Sequence, residues 1–105
     1  MTAHELVARI RAGTPPFLLD VRSGWEYRRG HVPGATHLPF WTLLARIHEI
    51  PVTKAEPIVV YCGHGPRAWM ARAVLKQQGF TDVVYLDGHM HTWYAAGHPV
   101  ETTGR

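Results

Sequence analysis

Three short apolar runs, separated by segments with helix start and stop signals, limit this chain to a parallel α/β architecture. Phe17-Leu18-Leu19-Asp20-Val21, Pro57-Ile58-Val59-Val60-Tyr61 and Val83-Val84-Tyr85-Leu86 carry apolar side chains at consecutive positions. A strand without polar alternation has no solvent face, so it needs cover on both sides. The intervening segments supply that cover. Thr2-x-x-Glu5 is a capping box opening a helix with Leu6, Val7 and Ile10 on one face, which ends at Gly13 before Pro15-Pro16. Ser23-x-x-Glu26 opens a second, short helix that stops at Gly30. Ala35 to Leu38 reads as a brief strand, Phe40 to Glu49 as a helix stopped by Pro51, and Ala68 to Gln78 as a helix closed by Gly79. A last helix after Asp87-Gly88 reaches Trp93. The pattern predicts one α/β domain over residues 1–105, with about five mainly parallel strands and helices on both faces.

Composition removes several functional classes. The 105 residues are 46% hydrophobic and 18% charged, which excludes a disordered polar chain. The longest apolar run, Ile58 to Cys62, falls far short of the ~20 residues that span a bilayer. Met1 to Gly13 holds His4, Glu5, Arg9 and Arg11, unlike a signal peptide. Eleven Lys and Arg against eight Asp and Glu give a net charge of +3. Only Arg28-Arg29 are adjacent, too thin a pattern for a nucleic-acid stripe, although the balance favours small anions. One cysteine, Cys62, excludes an intramolecular disulfide and makes a reducing cytoplasm the expected compartment.

A lone cysteine is ordinarily a small core hydrophobe. The neighbours of Cys62 argue otherwise, because it stands where a buried strand gives way to Gly63-His64-Gly65-Pro66-Arg67 and then a helix. In parallel sheets, ligands bind at the carboxyl ends of strands. Gly63 and Gly65 let the loop wrap with its N–H groups inward, and Pro66 stiffens the helix entry. Inward N–H groups and the helix dipole favour an anion at the centre, either the Cys62 thiolate or an oxyanion docked above it. Arg67 adds a fork of donors suited to a sulfonate or phosphate, and His64 adds a cation below neutral pH.

Loop length then separates the chemistries. Cysteine phosphatases use C-x5-R, but Arg67 makes this loop C-x4-R and the phosphatase position is Ala68. The shorter loop suits a single sulfur on Cys62 better than a tetrahedral phosphate. Thiolate attack on a sulfane sulfur needs a stabilised leaving group and no proton abstraction, so the lack of an obvious general base is no obstacle. A cysteine phosphatase or arsenate reductase remains an alternative, as does a binding or regulatory module that keeps the fold without turnover.

The other candidates read as mainly structural. Asp20 and Arg22 end a central strand and are expected to brace the loops as an ion pair, while His31 and Gly34 shape the turn after the second helix. His89 and His91 are about 200° apart on a helix, so they and His98 are not expected to form a metal site. Trp25, Trp41, Trp69 and Trp93 are expected in the core by default, with Trp69 the one most exposed beside the loop.

From Leu18 to Trp93 the chain resembles the rhodanese family of sulfurtransferases. The resemblance rests on Asp20-Val21-Arg22, Glu26-Tyr27, Gly30-His31-Val32-Pro33-Gly34-Ala35 and Leu38-Pro39, then Val59 to Arg67, then Gly79-Phe80, Val83, Leu86, Gly88 and Trp93. It implies a rhodanese-like fold and a Cys62 that takes a sulfane sulfur from thiosulfate or a persulfide. The sulfur then passes to cyanide or a thiol, with the loop residues Gly63 to Arg67 binding the small anionic donor. No cofactor, metal, nucleic acid or membrane is implied. Three departures stand out: Gly63 where many members carry a basic residue, Ala68 where a serine is usual, and Gly88-His89 where the family has two glycines.

Overall fold

The computed structural model describes residues 1–103; the last two positions of the expected domain, Gly104 and Arg105, lie outside the described residues. Four strands form one parallel sheet: β1 (Phe17–Asp20), β2 (Thr36–His37), β3 (Ile58–Tyr61) and β4 (Val83–Tyr85), in the order β2-β1-β3-β4. β3 pairs with β1 from Phe17↔Ile58 to Asp20↔Tyr61 and with β4 from Ile58↔Val83 to Val60↔Tyr85. The helices are α1 (Ala3–Arg11), α2 (Gly24–Arg29), α3 (Pro66–Gln77) and α4 (His89–Ala95). Both expected capping boxes form, Thr2 with Glu5 and Ser23 with Glu26.

Alternation along the strands sorts the apolar runs into two cores. Leu19, Ile58, Val60 and Cys62 face Ala68, Ala71 and Leu75 of α3. Leu18, Val59 and Tyr61 face the opposite layer, with Leu6 and Val7 of α1 and Met90 and Trp93 of α4. The continuous run of β3 is therefore two half-strands of core residues back to back, all four fully buried. One residue beyond the strand, Cys62 falls on the α3 side.

Three expectations are corrected. The sheet has four described strands rather than about five. The only further pairing described is an antiparallel bridge, His31↔Glu101. The next ladder positions would oppose Pro33 to Pro99, and neither has an N–H to donate. The helix expected over Phe40 to Glu49 is two 3-10 turns, Phe40–Thr42 and Ile47–Glu49. Its start has no side-chain cap, the Thr42 hydroxyl bonds back to Pro39 O at 2.8 Å, and the Arg46 N–H is shared between Thr42 and Leu43 carbonyls. Finally, Trp25 and Trp41 are not in the core but 60% and 61% exposed, whereas Trp93 is buried and Trp69 is the most exposed of the four at 67%, as expected.

Candidate active site

Cys62 leaves the carboxyl end of β3 and begins a turn that re-enters regular structure at Pro66, two residues earlier than the expected helix start. Pro66 occupies the first turn of α3, where a missing N–H costs little. Gly65 caps the helix at φ +140°, a conformation closed to side chains, and its N–H donates to Cys62 Sγ at 3.0 Å. The sulfur thus sits under the start of α3 with a backbone donor on it. Cys62 itself is fully buried at the head of the turn. It shares the core with Ala68, the position where a serine would have put a hydroxyl.

Arg67 does not stand free to greet an anion. Its guanidinium forks onto the Glu26 carboxylate of α2, with Nη1 on Oε1 and Nη2 on Oε2 at 3.0 Å. The same carboxylate accepts from the Ser23 hydroxyl and backbone N–H at 2.9 and 3.2 Å, so one residue caps α2 and holds the loop arginine. The Arg67 bond is the main cause that pulls Glu26 from the usual carboxylate range down to about 2. Gly63 lies beneath this pair: a Cβ there would stand 3.1 Å from Arg67 Nη2 and 3.9 Å from Glu26 Oε2. The missing side chain at Gly63 is what gives the ion pair its seat.

Asp20 and Arg22 form a buried bidentate pair at 2.7–3.1 Å. Arg22 Nη2 also donates to Gly30 O at 2.7 Å, so the pair ties the end of β1 to the end of α2. Arg22 Nε and Nη2 are engaged by the Asp20 carboxylate and the Gly30 carbonyl, and Asp20 also accepts the Arg22 backbone N–H, which makes the pair a brace for the loops. His31 stacks on Tyr27 at 3.7 Å and its Nδ1 meets Tyr27 O at 2.8 Å. Gly34 adopts φ +84° in the turn that follows.

The histidines do not converge. His64 is exposed on the loop and tilts against His91 with ring centroids 4.9 Å apart. His98 lies against Trp93. His89 is buried, and its Nδ1 accepts the backbone N–H of Cys62 at 3.2 Å. Beside the loop, an open cleft of about 360 Å³ is lined by Arg22, Trp25, Glu26, Arg29 and Tyr94, with Arg29 lying over the Trp25 ring.

The sequence reading missed Glu26 as a partner of the loop and left His89 without a role. For Glu26 the capping pattern was visible but its second bond spans 41 positions, a distance no local signal reports. For His89 a signal existed, an imidazole in place of a turn glycine.

A parallel sheet with a C-x4-R turn between β3 and α3 defines the class. The rhodanese-like domain family model matches residues 2–96, and the chain belongs to that family. A sulfurtransferase of Allochromatium vinosum is 37% identical over 98 residues, covering 93% of this chain and 90% of that one. The thiosulfate sulfurtransferase GlpE of Shewanella oneidensis is 35% identical and covers 91% and 92%. Among solved structures, the Alr3790 protein of Anabaena superposes with a TM-score of 0.87 at 33% identity, over 99% of this chain and 82% of that one. These relatives support a rhodanese-type sulfurtransferase.

Proposed function

We propose that the protein is a sulfurtransferase that carries sulfur as a persulfide on Cys62, with thiosulfate or a persulfide as donor and cyanide or a thiol as acceptor. The observation that carries this reading is the Cys62 sulfur under the α3 start with the Gly65 N–H on it at 3.0 Å. In the first half-reaction the thiolate attacks the outer sulfur of thiosulfate. The new S–S bond forms on Cys62 as the old one breaks, and sulfite leaves with the electron pair. The persulfide is then held beside the Gly65 N–H, which meets Cys62 Sγ at 3.0 Å. In the second half-reaction a cyanide carbon or a thiolate attacks the terminal sulfur, and the Cys62 thiolate is regenerated as thiocyanate or an acceptor persulfide departs.

These 105 residues hold no second cysteine to resolve the persulfide, so the acceptor lies outside them. Such a carrier, with one unpaired thiol, fits a reducing compartment such as the cytoplasm.

A second reading is favoured by one feature: Cys62 is buried and Arg67 is already held by Glu26, as suits a binding module without turnover. Steady-state kinetics separate the two. The persulfide route predicts parallel double-reciprocal lines when thiosulfate and cyanide are varied, and no thiocyanate from Cys62→Ala. Intersecting lines, or undiminished turnover by Cys62→Ala, would refute it; absence of turnover by the wild type would leave the binding module.

A further inference from the structure

The segment that opens α4 holds the first two peptide groups of the active-site turn on three bonds. The Met90 N–H donates to Cys62 O at 3.0 Å and the His91 N–H to Gly63 O at 3.0 Å. The third bond runs the other way, from the Cys62 N–H to His89 Nδ1 at 3.2 Å. Backbone amides can make the first two whatever the sequence. The third needs a side-chain acceptor at position 89, and an imidazole Nδ1 accepts only while it carries no proton.

The backbone at this position is unusual. His89 is the one non-glycine residue with positive φ among the described residues, at +53°, directly after Gly88 at +75°. A glycine would take this conformation freely, whereas a side chain there is held in a sparsely populated region. The buried ring is retained in spite of that, and the contact it makes is with the amide of Cys62. Strain kept at a residue bonded to the candidate nucleophile is a pointer to function.

We propose that His89 is a positioning residue for the active-site turn: its unprotonated Nδ1 holds the Cys62 amide, and protonation of the ring releases that amide and stops sulfur loading. This rests on the sulfur-carrier reading for its activity readout. With Nδ1 as acceptor, the neutral ring carries its proton on Nε2, which faces Gly65, 3.5 Å from where a Cβ on that residue would stand. The groups facing the ring are the turn itself with His64, the Tyr85 ring of β4 at 5.8 Å, and Asp87 before α4. Burial lowers the His89 pKa below its ordinary 6.5, against Asp87, which raises it, while His64 lowers it further. The neutral form is therefore the resting one at neutral pH, and the release belongs on the acid side of 6.5.

The test combines pH with two substitutions. In His89→Asn, Oδ1 replaces Nδ1 as acceptor, positive φ is tolerated, and nothing titrates. In His89→Gly the backbone is relaxed and the acceptor is gone. Initial thiosulfate sulfur uptake is followed by intact mass, and the Cys62 amide by NMR, across the acid range. The wild type is expected to lose uptake as the His89 ring protonates, with the Cys62 amide resonance moving in step. His89→Asn restores most of the neutral-pH rate without that acid limb, and His89→Gly loads about five- to tenfold more slowly, the rate equivalent of one hydrogen bond. Wild-type rates in His89→Gly at neutral pH, or an unchanged acid limb in His89→Asn, would overturn the proposal. If the wild type takes up no sulfur, the carrier reading fails, and the amide still decides this one: a Cys62 resonance indifferent to the ring's titration overturns it.

Discussion

Glu26 is the residue whose role changes most between sequence and structure. Its carboxylate caps α2 through Ser23 and grips Arg67, so any anionic donor approaching the turn meets an arginine already neutralised. Glu26→Gln keeps a capping side chain, since glutamine serves in a capping box, but gives up the charge. The KM for thiosulfate is expected to fall several-fold with a smaller change in kcat; a higher KM would show that the ion pair assists donor binding. The pair also links stability to pH. The folded-state pKa of Glu26 lies near 2 against an ordinary 4.5, so its contribution is full above 4.5 and is lost as pH falls towards 2. The group is three-quarters buried and its partner similar, so the contribution is on the order of 1 kcal/mol after solvent screening. Chemical denaturation at mildly acidic and strongly acidic pH should show the wild type losing that increment and Glu26→Gln not losing it.

At the scale of elements, the turn between β3 and α3 works because Gly65 takes a conformation no side chain takes comfortably. Gly65→Ala forces a Cβ into φ +140° and is expected to cost about 1–3 kcal/mol. It should also move the N–H off Cys62 Sγ, so sulfur loading falls further than stability does; full loading in a merely destabilised variant would count against the Gly65 N–H. Both capping boxes, the β3 run and α3 were legible because caps, apolar runs and glycine stops are local signals. The Phe40–Glu49 segment was not: its apolar spacing resembles a helix, but it lacks a cap and most of its hydrogen bonds close over three residues. The partners in the Glu26–Arg67 fork and the His89–Cys62 bond were not legible, since each joins residues 27 or more positions apart, although the imidazole at a turn-glycine position marked His89 as unusual. The burial of Cys62 was also hidden, because strand phase beyond the last paired residue decides it.

For the whole molecule, the two cores share one thin sheet, and α4 belongs to the layer that also steadies the turn. Trp93 is the largest fully buried side chain there, with its Nε1 donating to Pro99 O at 2.8 Å. Trp93→Ala is expected to cost about 3–5 kcal/mol. Against a total of roughly 5–15 kcal/mol that lowers Tm sharply, readable by circular dichroism. Trp69→Ala, at the exposed face beside the turn, should stay within about 0.5 kcal/mol. A large loss there would mean that this face is covered in solution.

Whether Cys62 is the sulfur carrier is read out by intact mass spectrometry. The purified protein is weighed before thiosulfate, after thiosulfate, and again after cyanide. Thiosulfate treatment is expected to add one sulfur atom and cyanide to remove it, with neither change in Cys62→Ala. An unchanged wild-type mass with thiosulfate and with persulfide donors, or the same gain in Cys62→Ala, would contradict it.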